Sequence, residues 1–523
     1  MIIDFRELDS GSQFDAEVCV VGAGAAGITL ALELAQLDVD VCVLESGGLS
    51  FEPEIQALAA GETTGVPYFP LEISRMRYLG GSTNHWGGWC TPLNEIDFEQ
   101  RSWVPNSGWP FDREALLPYY QRAQSWCQLG PFRYRAEQWE DENRSFPDLD
   151  PSKLEAPCWQ FSPPTRFGEA YRKELEASQR VRVLLHGHVT ALEAYSDGSA
   201  VSGAQITTLE GRRGAVRARI FVAACGGIEN ARLLLLSGWP EGPALGNAHD
   251  LVGRYFMEHP HVTAGTVVAA EPRALARIFT VFDRDGTHVV AGLCPSASAQ
   301  TRERALNCAA SLVFGGDGSE RGYEAYREMM RNARSGRFPD RFGERIWSVM
   351  RDLGDVVEGI SRLEGEPYIG AIGWVGFYLR SEQSPNPRSR VTLGSKRDPF
   401  GLPLARLDWQ LRSEDKRAQS VTLRLIGEEL GRLGVGRLQI PDWLLADDDG
   451  WPDDLSGGYH HMGTTRMAER ATEGVVNADC RVHGVDNLYV AGSSVFPTGG
   501  YANPTLTIVA LAVRLAEHLH SRL

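Results

Sequence analysis

The chain has 523 residues, 43% of them hydrophobic, and a formal net charge of −16 at pH 7. That length suits a large core divided over more than one domain. The acidic balance argues against nucleic acid as the main partner and fits a neutral or cationic small substrate.

Residues 17–21 are a β-branched run that reads as a buried strand. Gly22-Ala23-Gly24-Ala25-Ala26-Gly27 follows at once. Residues 28–35 then read as a helix and 39–44 as a second strand, which ends at Glu45. In this order Gly22 and Gly24 give a tight turn and close approach to a pyrophosphate. Gly27 lets helix and strand pack, and Glu45 accepts from a ribose hydroxyl. The motif serves FAD and NAD alike.

Residues 79–92 form a second glycine-rich stretch that holds Gly81, Ser82, Asn84, His85, Trp86 and Trp89. Its glycine pairs let backbone approach a flat ligand. On residue type alone, His85 reads first as a satisfied structural group.

Residues 94–122 read as scaffold, with an amphipathic helix over 113–124. The Pro-, Trp- and acid-rich residues 137–164 read as surface loop, and 167–177 as a helix. Strands follow at 181–185, 189–193, 203–208 and 219–224. Residues 225–236 repeat the strand–glycine–helix junction, and either contact the dinucleotide or only turn the chain. Between 261 and 449 strand-like runs fall at 289–295, 309–314, 368–379 and 390–393. A long polar helical region covers 320–363, and 315–340 reads as a lid or a solvated helix. This predicts an inserted α+β domain built on a mostly antiparallel sheet. The expected division is 1–260 for the nucleotide domain, 261–449 for the substrate domain and 450–523 for the return. Residues 487–491 give a last strand, followed by Gly492 and Ser493.

The C-terminal part carries the chemistry. Residues 457–467 place His460 and His461 among glycines and threonines. Residues 497–505 end in Asn503-Pro504-Thr505 before an apolar run, which reads as a helix start with Asn503 at the N-cap and Pro504 at N1. The positive end of that helix then lies beside Asn503.

Nine cysteines are scattered, with no Cys-x-x-Cys spacing. No zinc, iron–sulfur or haem-attachment motif is present, and no metal is expected. Dispersed thiols and a charged N-terminus without a signal-like apolar core point to a cytoplasmic protein. No apolar run is long enough to span a bilayer, so no membrane partner is expected.

Taken together, these stretches resemble the glucose–methanol–choline (GMC) oxidoreductases. The resemblance is carried by 20–27 with Glu45, 80–92, 223–235, 382–393 and 460–511. It is closest to bacterial sugar- and glycoside-oxidising members and to pyranose oxidase, which share His-Trp in the glycine loop and Asn-Pro-Thr-Leu-Thr near the C-terminus. It implies an α/β fold with a Rossmann-like, glutathione-reductase-like FAD-binding domain. It implies FAD as cofactor, held by Gly22, Gly24, Gly27 and Glu45, by Gly81, Ser82, Asn84, His85 and Trp86, by Val189 at the adenine, and by Gly492, Ser493, Asn503, Pro504 and Thr505. His85 stands where some members attach the flavin covalently. His460 matches the family's base and Asn503 its second catalytic position. Tyr459, Tyr501 and His461 are the nearest candidates for substrate contact. The implied reaction is oxidation of an alcohol group of a sugar or glycoside, with oxygen or another acceptor taking the electrons. Some relatives use the same scaffold for lyase or other non-oxidative chemistry.

Overall fold

The computed structural model describes residues 1–142, 144–238, 242–315, 372, 374–446, 448 and 450–523. The polar helical region expected over 320–363, most of the lid stretch 315–340 and the start of the run 368–379 lie outside the described residues.

The first layer is an eight-stranded sheet. Its middle strands, Ser12–Val21, Val41–Leu44, Val181–Leu185 and Arg213–Ala223, lie parallel. Parallel strands are covered on both faces and so are apolar throughout. Val18, Cys19, Val43, Val183 and Val222 are accordingly buried. Ile2–Asp4 adds one edge, and Val201–Thr207 and His188–Ala194 extend the other as an antiparallel pair. Leu488–Val490 returns late in the chain to lie parallel to Arg213–Ala223. The helices Ala25–Gln36 and Thr505–Arg522 pack on each other and close one side.

The second layer is a four-stranded antiparallel sheet of Cys308–Gly315, Trp374–Ser381, His261–Ala269 and Gly436–Gln439. The helix Ser413–Arg432 packs against it and buries Val421, Leu425 and Ile426 in a second core. This is the inserted antiparallel unit expected from the sequence. The helix itself was not anticipated, because its N-terminal half is strongly charged.

The two layers interleave across residue 260. Gly61–Gly65 crosses to pair with Pro403–Trp409, and Cys158–Phe161 pairs with Thr287–Ala291. Residues 137–164 are therefore not only surface loop, since Trp159 is fully buried within them. The surrounding prolines and acids hide this short apolar run. Residues 289–295 divide into Thr287–Ala291 and Cys294–Pro295, with Gly292 between them.

Candidate active site

The glycine turn after Ser12–Val21 opens onto a cavity of about 550 Å³, well within the range of small-molecule and cofactor sites. The helix that follows has Gly24 at its N-cap and no side chain capping it. Its first N–H groups remain available to an anion such as a pyrophosphate. A Cβ built on Gly24 meets nothing within 4 Å, whereas one on Gly27 falls 1.9 Å from the Gly22 carbonyl oxygen. Gly24 leaves room for a ligand; Gly27 leaves room for the protein itself and does not line the cavity.

Glu45 is buried at the end of Val41–Leu44. Its Oε2 accepts from Ala23 N and its Oε1 from Gly47 N, both at 2.9 Å. The carboxylate thus braces the glycine turn, and each oxygen keeps a lone pair for a ribose hydroxyl. Burial nevertheless raises its pKa, against these hydrogen bonds.

Gly81, Ser82, His85, Trp86, Val189, Gly492, Ser493, Asn503, Pro504 and Thr505 all line the same cavity. His85 is exposed and its ring has no hydrogen-bond partner among the described residues, so both nitrogens are accessible to a bound group. Trp86 is fixed by Nε1 donating to Thr165 O at 2.9 Å. Asn84 lies outside the cavity wall and shapes its own loop, its Nδ2 donating to Leu79 O at 2.9 Å.

The final helix begins at Thr505, with Pro504 at the N-cap, one residue later than the sequence suggested. This shift frees Asn503 from capping. Its Nδ2 instead faces His460 Nε2 at 3.2 Å, and its Oδ1 is buried with no partner. A buried amide oxygen left bare is costly. A hydroxyl or ring N–H of a bound group would satisfy it, and the cavity's chemistry fits FAD on this count as well.

On its other side, His460 Nδ1 lies 2.8 Å from His259 Nδ1. One of these nitrogens must donate and the other accept. The Asn503 amide decides which: its Nδ2 can only donate and lies 3.2 Å from His460 Nε2, so Nε2 accepts and the His460 proton sits on Nδ1. His259 therefore accepts at Nδ1, and its Nε2 is buried with no hydrogen-bond partner among the described residues. His460 donates from Nδ1 and turns the lone pair of Nε2 toward Asn503 and the cavity.

Glu258 holds the pair from below. It accepts from His460 N at 2.9 and 3.0 Å, from His259 N at 2.8 Å and from Tyr68 Oη at 2.5 Å. Burial pushes its pKa up to about 7. Tyr68 in turn receives His461 Nε2 at 2.9 Å. His461 lines the cavity, but its ring is tied into this buried network rather than free for substrate. Tyr459 is 40% exposed at the cavity mouth and packs on Phe69. Tyr501 does not line the cavity: it is buried against Trp159 and hydrogen-bonds Asn94. Its place next to Asn503 in sequence is misleading, because the chain turns between them.

His259, His261, Tyr378 and Arg380 were not singled out from the sequence. His261 Nδ1 pairs with Tyr378 Oη at 2.8 Å, and its Nε2 is buried without a partner. Three imidazoles, from His259, His261 and His460, converge closely enough for a metal ion. The buried Arg380 charge acts on all three and opposes a cation there. At the opposite end of the cavity, Arg75 and Arg77 pair with Glu229 at 2.5 and 2.8 Å. The local sequence signal was the crowding of Glu258-His259-Pro260-His261, at the point where the chain enters its second layer.

Residues 17–383 match the family described as FAD dependent oxidoreductase, and residues 385–512 match that described as GMC oxidoreductase. The chain is an FAD-dependent oxidoreductase of the GMC family. Among its relatives, a 2-methyl-1,2-propanediol dehydrogenase of Mycolicibacterium austroafricanum is 25% identical, over 97% of this chain and 95% of that protein. A 6'''-hydroxyparomomycin C oxidase of Streptomyces lividus is 26% identical, over 97% and 92%. The solved structure of formate oxidase from Aspergillus oryzae superposes with a TM-score of 0.56 at 17% identity, covering 98% of this chain and 99% of that one. That likeness concerns the fold. Among the described residues, no helix of this GMC oxidoreductase is long and apolar enough to cross a membrane.

Proposed function

We propose that this chain oxidises an alcohol group of a sugar or glycoside, with His460 as the base. The observation that carries the reading is the row Asn503–His460–His259, in which the Nε2 lone pair of His460 is turned toward Asn503 and the cavity. A substrate hydroxyl placed there donates to Nε2 and accepts from Asn503 Nδ2. Its proton passes to His460 as the C–H bond breaks and the carbonyl forms. Bound FAD supplies the acceptor for the departing hydride. Burial first, then the neighbouring His259, His261 and Arg380, hold the His460 pKa well below its usual value. The imidazole is therefore neutral, and competent as a base, through neutral pH. No side chain caps the helix that starts at Thr505, and its positive end favours negative charge developing at the site. The names of the relatives, a diol dehydrogenase and an oxidase, agree with alcohol oxidation as the reaction class.

Anaerobic mixing of the yellow protein with a panel of sugars, glycosides and simple alcohols tests this. Bleaching by one class supports the reading, and the speed of recolouring in air separates an oxidase from a dehydrogenase. A flavin that no alcohol bleaches overturns it.

A further inference from the structure

Arg380 occupies an unusual place. It lies on the strand Trp374–Ser381, is 3% exposed, and lines the cavity together with His261, Tyr378 and His460. Its guanidinium sits between two indoles, 4.4 Å from the Trp89 ring and 4.5 Å from the Trp159 ring. Nη2 donates to Ser311 Oγ at 2.5 Å, and Nε is buried with no partner. No carboxylate pairs with it among the described residues. The acids of the surrounding shell are engaged elsewhere: Glu382 with Arg101, Asp97 with Asn307, and Glu258 with Tyr68 and backbone.

A buried guanidinium is normally matched by a carboxylate or phosphate, because an uncompensated charge in a dry site is costly. Stacking on aromatic faces offsets part of that cost and also fixes the plane of the fork. What remains is a positioned, desolvated donor set with no anion among the described residues, on the wall of the cavity that holds the proposed base. We propose that Arg380 binds a carboxylate on the substrate, so that the alcohol oxidised belongs to a hydroxy acid of the sugar-acid or glycuronide class. The assignment rests on the alcohol-oxidation reading above and narrows it. A planar carboxylate suits the guanidinium better than a neutral hydroxyl, since Arg–carboxylate pairs can form parallel hydrogen bonds. The reaction stays the same: hydroxyl proton to His460, hydride to FAD, carbonyl formed, carboxylate unchanged.

The test compares matched pairs on the flavin-loaded protein: glucuronate against glucose, and methyl glucuronide against methyl glucoside. The expected result is a kcat/KM for flavin reduction higher by about 30-fold or more for the acid of each pair, the scale of a buried charged contact. Arg380→Met should lower the acid at least ten-fold more than the neutral partner, with Arg380→Lys in between. Flavin content and melting temperature check that each variant folds. Equal use of acid and neutral partners, or equal loss of both in Arg380→Met, overturns the assignment and leaves alcohol oxidation standing. If nothing bleaches the flavin, oxidation itself fails, and carboxylate binding is read separately by titrating the oxidised flavin spectrum with acetate and benzoate. A saturable change in the wild type that Arg380→Met abolishes supports the site; no change in the wild type overturns it.

Discussion

His259 and His460 meet Nδ1 to Nδ1 at 2.8 Å, and this contact decides which nitrogen of His460 faces the cavity with a lone pair. Two neutral imidazoles can share such a contact only if one gives its proton and the other accepts. Asn503 settles the direction from the other side, since its Nδ2 donor faces His460 Nε2 at 3.2 Å. His259 is thus a positioning residue, one step removed from the reacting atoms. His259→Leu removes the acceptor and lets His460 place its proton on Nε2. Flavin reduction should then slow by a large part of the ~10²–10⁴ that a general base contributes. His259→Asn, whose amide oxygen still accepts, should recover much of the rate. Stopped-flow reduction of both variants, with their pH profiles, checks this; identical losses and unchanged profiles would mean that His259 only fills space.

His460 itself gives a sharper expectation. His460→Ala should depress flavin reduction by about 10²–10⁴ while the protein stays yellow. In the wild type, burial and the surrounding positive charge lower the imidazole pKa. Protonation, which disables the base, then requires a pH below the usual histidine value. The acid limb of the reduction rate should therefore fall below about pH 6.5. Arg380→Met removes a cation that acts on His460, so the ring protonates more readily and the limb should move toward higher pH. A limb at or above pH 6.5 in the wild type, or one that Arg380→Met leaves in place, contradicts this account.

Much of the nucleotide half was legible in the sequence, for a physical reason. Parallel strands buried on both faces are short continuous apolar runs, and the glycine turn that follows the first of them has one geometric use. Family motifs mark His460 and Asn503 in the sequence, and the structure brings the two together on the cavity wall. The cavity wall around them was not legible. His261, Tyr378 and Arg380 share a face of two paired strands, where His261 pairs with Arg380 and Thr263 with Tyr378, and His259 lies on the segment that leads into the first of them. A strand sequence shows that alternate side chains share a face, but it does not show which distant strand lies opposite. Tyr501 was misplaced for the converse reason. Closeness in sequence to Asn503 suggested closeness to the site, while the ring turns back to Trp159.

Glu258 links backbone and chemistry. One carboxylate receives the N–H groups of both His259 and His460 and the hydroxyl of Tyr68. Glu258→Gln keeps the shape but turns one acceptor oxygen into an NH₂ facing donors. The expected cost is about 1–3 kcal/mol of stability, as for other unsatisfied buried polar groups. Reduction should slow as well, because the His460 backbone loses its anchor. Thermal unfolding and single-turnover reduction together check this. A variant as stable and as fast as the wild type would show that Glu258 does not hold the pair.

The glycine turn allows a test in which two alanine substitutions should fail differently. In Gly27→Ala the new Cβ falls 1.9 Å from the Gly22 carbonyl oxygen, so the helix Ala25–Gln36 must move off the strand Ser12–Val21. Packing in the first core is then lost along with FAD, and the protein should be unstable or insoluble. In Gly24→Ala the Cβ meets no protein atom within 4 Å, and the chain should fold normally. The methyl group instead enters the space at the helix N-terminus where a pyrophosphate would lie. That variant should purify as a folded protein of near wild-type melting temperature, but with most of its yellow colour missing. The ratio of flavin to protein absorbance, read beside a melting curve, separates the two outcomes. A fully yellow Gly24→Ala protein would place the dinucleotide away from this turn, and a stable Gly27→Ala protein would show that helix and strand have slack that the structure does not display.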